Sequence, residues 1–156
     1  MIEAVVFDLD GVLVESEEDW EQTRRDVLAE LTGGVWSGED QAAVLGANLR
    51  ECSAIINARH RTGVGDEELG SRLVRRRMEL YASRMPQLPG AAAAVKSISA
   101  SCPVAIASSS PPEIIGYVVE RLGLAGCFAA IASSDEVASG KPAPDVDLLA
   151  CERLGV

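Results

Sequence analysis

The sequence predicts an α/β fold: a doubly wound parallel sheet with a block of helices inserted after its first strand. Three observations predict it. Short apolar runs fall at residues 2–7, 103–108 and 127–133, and each is followed by a segment of helical spacing. Strands that alternate with helices form parallel sheets, since a crossover must carry the chain back between parallel neighbours. Between the first two runs, residues 16–85 show helical spacing throughout. A discontinuous α/β domain is therefore expected from 1–15 and 86–156, and a helical domain from 16–85.

Each element has its own signal. Residues 2–7 (IEAVVF) read as a strand buried on both faces, ending at Asp8. Ser16 with Asp19 has capping-box spacing, and Trp20, Val27, Leu28 and Leu31 then recur along one helix face up to Gly33-Gly34. Ser37 with Asp40 and Asn48 with Glu51 mark two further helix starts, the second followed by the stripe Leu49, Cys52, Ile55 and Ile56. Asp66 opens a longer helix carrying Leu69, Leu73, Met78 and Tyr81. Its run Arg75-Arg76-Arg77 reads as a solvated face.

Pro86 and Pro89-Gly90 then mark the return to alternation. Residues 91–100 (AAAAVKSISA) predict a helix, 103–108 (PVAIAS) a strand, and 111–123 another helix with Pro112 in its first turn and Gly123 at its end. Residues 127–133 (CFAAIAS) predict a strand, followed by a Gly/Pro loop and a helix from Asp145 to Leu154.

Composition narrows the function. Apolar residues make up 47%, which suits a folded core. Fourteen basic against 24 acidic residues give a net charge of −10, a poor match to nucleic acid or an anionic membrane. No run approaches the roughly 18 apolar residues of a membrane span, and no secretory signal is visible. Cys52, Cys102, Cys127 and Cys151 lack metal-binding spacing and read as reduced core thiols, which implies a cytoplasmic protein. The single histidine, His60, is given no special role.

Three features at strand ends carry chemistry. Asp8 and Asp10 are two positions apart, so along a strand both carboxylates point one way and repel. A hard cation such as Mg²⁺ would remove that repulsion. The second strand ends in Ser108-Ser109-Ser110 directly before a helix, where hydroxyls and free amides form an anion site. The loop SGKPAPD (139–145) holds Lys141 beside two prolines, which stiffen it and aim one ammonium. Paired acids, hydroxyls and an aimed lysine are what in-line phosphoryl transfer requires, because its catalysis is positioning plus charge stabilisation.

FDLDGVLVES (7–16), AIASSS (105–110) and SGKPAPD (139–145), in that order, resemble the haloacid dehalogenase superfamily. The likeness is to its branch with a helical cap after the first strand, which includes phosphoglycolate phosphatase-like and β-phosphoglucomutase-like enzymes. The resemblance implies a Rossmann-like core and a cap, with Asp8 as nucleophile and metal ligand. It also implies Asp10 as general acid/base and metal ligand through its carbonyl, with Mg²⁺ as cofactor. Ser108 and the amide of Ser109 would hold phosphoryl oxygens, Lys141 would balance charge, and Arg50 falls near a substrate-binding arginine of related caps.

The expected activity is hydrolysis of a small phosphorylated metabolite by a monomer or homodimer, with a phosphomutase or a non-catalytic binding protein as alternatives. The family's fourth motif, a pair of acids after a fourth strand, has no counterpart before the chain stops at CERLGV (151–156). The C-terminal part of the core is therefore expected to be missing, with one edge of the first strand open. A longer parent chain is the favoured explanation, beside another cover for that edge or a loss of turnover.

Overall fold

The computed structural model describes residues 2–156. Strands β1 (Val5–Phe7), β2 (Val104–Ser108) and β3 (Ala130–Ser133) pair in parallel in the order β1-β2-β3. Helices α1 (Glu17–Thr32), α2 (Gly38–Ala43), α3 (Leu49–His60) and α4 (Asp66–Ser83) follow β1, and α5 (Ala91–Ser99) leads into β2. Helix α6 (Pro112–Arg121) joins β2 to β3, and α7 (Asp145–Leu154) follows β3. This is the α/β architecture that the alternation predicts.

Strand period sets the layers. In β2, Ile106 packs with Val95 of α5 and Ile114, Ile115 and Val118 of α6. Its neighbours Ala105 and Ala107 point to the opposite face and pack with Val146 and Ala150 of α7. The small side chains on that face let α7 lie close to the sheet. Ile106, Ile114 and Ile115 are fully buried, each contributing roughly 2 kcal/mol of transfer free energy. A separate core of Val27, Leu28, Cys52, Ile56, Leu69 and Leu73 holds α1, α3 and α4 together.

Four local expectations differ from the structure. The first strand is shorter than 2–7 and only half-buried, and the third is shorter than 127–133, each covering only residues that pair with β2. Ser16 precedes α1 but makes no side-chain cap bond, whereas Ser37 with Asp40 and Asn48 with Glu51 form full reciprocal capping boxes. Arg77, read as part of a solvated face, is wholly buried.

Candidate active site

The site is assembled where the three strands end. After β1 the chain turns tightly: the Leu13 N–H donates to the Leu9 carbonyl at 2.8 Å, and the Gly11 N–H to the Val14 carbonyl at 2.8 Å. Gly11 sits at φ +75°, which a residue with a Cβ adopts only under strain. That turn sets Asp8 and Asp10 at the mouth of the sheet with different partners. Asp8 accepts the Leu9 N–H on Oδ1 at 2.7 Å and pairs through Oδ2 with Lys141 Nζ at 2.9 Å. The same ammonium donates to the Ala107 carbonyl at 3.0 Å, so Lys141 ties the ends of β1 and β2 together.

Asp10 is held by hydroxyls. Ser16 donates to its Oδ1, and Ser110 donates to Oδ2 at 2.6 Å, with Ser108 at 3.4 Å. The Ser110 N–H donates to Ser108 Oγ at 3.0 Å, and Ser133 at the end of β3 donates to the Ser110 carbonyl at 2.8 Å. The repulsion between the two carboxylates is thus relieved by separation of partners, a cation for one and neutral donors for the other.

A cavity of about 260 Å³ opens beside Asp10, walled by Ser16, Trp20 and Arg24 of the α1 region and by Ser109 and Ser110 from the end of β2. Arg50 does not line it. It lines a separate cavity of about 790 Å³ with Glu113 and Asp135, while its neighbour Leu49 reaches both. One position along a helix rotates a side chain by roughly 100°, enough to move the arginine away. Burial, with Glu113 next and Arg50 opposing, pushes the Asp135 carboxyl up.

Several site residues escaped the sequence reading. Ser16 was legible as a helix cap and Ser110 as part of an anion site, neither as a partner of Asp10, and Arg24 carried no motif. Arg77 donates through Nη2 to the Ser16 carbonyl at 3.0 Å and to the Tyr81 hydroxyl at 2.6 Å. Its guanidinium also lies over the rings of Trp20 and Tyr81, at 4.9 and 4.1 Å. Burial pulls the Arg77 guanidinium below its ordinary value, against the opposing pull of Tyr81, Asp10 and Asp19. Its i, i+4 spacing to Tyr81 was the one signal that could have marked it.

The donor set fits a magnesium ion. Among the described residues no cluster of three or more acidic, histidine or cysteine side chains forms. Mg²⁺ takes one or two carboxylates and completes its shell with waters and substrate phosphate oxygens. Asp8, whose side chain is 37% exposed, would offer one carboxylate, and Asp10 its backbone carbonyl oxygen.

The chain belongs to the haloacid dehalogenase-like hydrolases, whose family model matches residues 2–156. Among curated relatives it is similar to hexitol phosphatase B of Escherichia coli K12, 31% identical, covering 98% of this chain and 70% of the relative. The phosphorylated carbohydrates phosphatase of Thermotoga maritima is 29% identical, covering 99% and 72%. Among solved structures, CbbY from Rhodobacter sphaeroides in complex with phosphate superposes with a TM-score of 0.88 at 27% identity, covering 100% of this chain and 74% of that one. Among the described residues, no helix is long and apolar enough to cross a membrane.

Proposed function

We propose that the chain hydrolyses a small phosphorylated carbohydrate through an aspartyl-phosphate formed on Asp8. The observation that carries this reading is the Asp8–Lys141 ion pair beside an Asp10 carboxyl held by three hydroxyls. Asp8 attacks phosphorus in line, and the bond to the leaving-group oxygen breaks. Asp10 gives that oxygen its proton, then takes one from the water that attacks the aspartyl-phosphate, returning Asp8 and releasing phosphate. Lys141 offsets charge on Asp8 and the transferring group, and Ser108 with the Ser109 amide binds phosphoryl oxygens. Asp8 and Asp10 would hold Mg²⁺, which supplies positive charge opposite the phosphoryl oxygens.

Helices α1–α4 act as the cap that selects the leaving group and limits water. The substrate class rests on the names of the matched relatives.

The test is phosphate release from a panel of sugar and polyol phosphates with and without Mg²⁺. Metal-dependent release that falls at least 1,000-fold, by about 4 kcal/mol of transition-state stabilisation, in Asp8→Asn is expected. Equal release by wild type and variant would sink the reading, and isomer formation without free phosphate would replace hydrolysis with phosphomutase chemistry.

A further inference from the structure

The cavity beside Asp10 carries a cation that the phosphoryl chemistry does not use. Among the described residues that line it, Arg24 is the one base, set against Asp10, Glu15 and Glu17. Two other arginines of the same helix bundle meet carboxylates: Arg25 pairs with Glu21 at 2.6 Å and Arg76 with Asp26 at 2.7 Å. Arg24 instead meets neutral groups. Its Nη1 donates to Gln41 Oε1 at 3.2 Å, and it lies against the Cys52 thiol, which burial pushes up and keeps protonated. Its Nε–H is out of solvent with no acceptor.

A buried N–H without an acceptor is costly. Such a group is favoured where a ligand completes it.

Gln41 strengthens the case. Its amide oxygen accepts both from Arg24 and from Trp36 Nε1, each at 3.2 Å. Both oxygen lone pairs are then used, and the amide NH₂ is left as a donor among the residues that wall the cavity. Trp20 supplies an aromatic wall, with the Arg24 guanidinium 5.6 Å from its ring. The wall opposite the serines therefore offers donors and a positive charge, and asks for an acceptor-rich anion. At about 260 Å³ the space suits a small metabolite.

We infer that Arg24, assisted by Gln41, selects leaving groups that bear a second anionic oxygen group, a carboxylate or a second phosphate, at the end remote from the scissile phosphate. This rests on the phosphatase reading of the same site and narrows its substrate class. A bidentate fork on a planar carboxylate or a phosphate is the geometry at which arginine is strongest. The acids Glu15 and Glu17 on the same cavity raise the dependence on Arg24, since the other charged residues that line it are all acidic.

Three ligands that differ at one end test this by calorimetry: glucitol 6-phosphate, 6-phosphogluconate and glucitol 1,6-bisphosphate. They are titrated with Mg²⁺ into the Asp8→Asn chain, where no transfer consumes them, with and without Arg24→Met. Expected is binding at least tenfold tighter for one or both of the doubly anionic ligands than for glucitol 6-phosphate. Which of the two gains identifies carboxylate or phosphate. Arg24→Met should erase that preference to within about threefold and leave glucitol 6-phosphate within twofold.

Equal binding of the three ligands, an equal loss of all three on Arg24→Met, or no binding of any would overturn the inference. Gln41→Leu, expected to halve or quarter the preference, serves if Arg24→Met does not fold. Release of phosphate from p-nitrophenyl phosphate by the wild-type chain separates the two readings. Its absence alongside an intact anion preference rejects hydrolysis and leaves the Arg24 assignment standing.

Discussion

Lys141 and Arg77 are both cations close to the paired aspartates, and they are held in opposite ways. Lys141 sits in a loop, its side chain 26% exposed, with a carboxylate at 2.9 Å. Arg77 sits in the middle of α4 with no exposure, its nearest carboxylate oxygen, on Asp19, at 3.8 Å, and aromatic faces on either side. A partly solvated ion pair adds little to stability, yet leaves the charge free to follow a reacting group. A buried guanidinium clasped by rings and hydrogen bonds is fixed in place and belongs to the packing. The difference separates a cation suited to chemistry from one that ties the helices to the turn after β1.

The comparison predicts opposite outcomes for the two substitutions, and the Lys141 effect is the larger. Lys141→Ala removes the charge opposite Asp8 and the transferring phosphoryl group, so kcat/KM should fall about 1,000-fold, or about 4 kcal/mol. Urea denaturation of the same variant should move by no more than about 1 kcal/mol. Full activity would mean that Lys141 merely staples the Ala107 carbonyl to Asp8.

Arg77→Ala should do the reverse. It strands the Ser16 carbonyl and the Tyr81 hydroxyl, opens a cavity between two aromatic rings, and should cost about 3 kcal/mol of stability. Because Ser16 also holds Asp10, a smaller loss of activity should follow. Burying an arginine is itself costly, so the apolar Arg77→Met, of similar volume, sharpens the comparison. A variant more stable than wild type but slower would show that the arginine serves the position of Ser16 rather than the packing.

The same contrast explains what was legible in the sequence. Lys141 was readable because its role is written locally, in a stiff loop of fixed spacing. Asp8 and Asp10 were readable because strand period and a glycine turn place them. Arg77 was not, because three consecutive arginines look alike in one dimension, and only the packing of α1 against α4 decides which is enclosed.

Ser16 shows the same limit from the other side. Its spacing to Asp19 matches a capping box as well as Ser37 does to Asp40, but a carboxylate six residues earlier competes for its hydroxyl and wins. Arg50 lies one position of helix register from Leu49, which reaches the cavity beside Asp10, and itself lines the cavity with Asp135. The order of elements followed from periodicity, whereas the extent of β1 and β3 depended on which residues find a ladder partner in β2.

The smallest effect concerns Tyr81, the partner that makes the Arg77 clasp sensitive to alkali. Burial pushes its phenol up to about 12, although Arg77 pulls the other way. In the unfolded chain a tyrosine ionises near 10. Below about pH 10 both states carry the proton and the linkage is silent. As pH rises from about 10 towards about 12, the unfolded chain loses that proton while the folded one keeps it, so the unfolded state binds fewer protons and stability falls.

The loss attributable to this one residue is on the order of 2 kcal/mol across that window. Tyr81→Phe should be less stable at neutral pH, where the hydrogen bond from Arg77 is lost, but its denaturation midpoint should decline less steeply through the alkaline range. Parallel alkaline slopes for wild type and Tyr81→Phe would mean that the phenol titrates normally. The buried clasp would then admit water that the packing around Arg77 excludes.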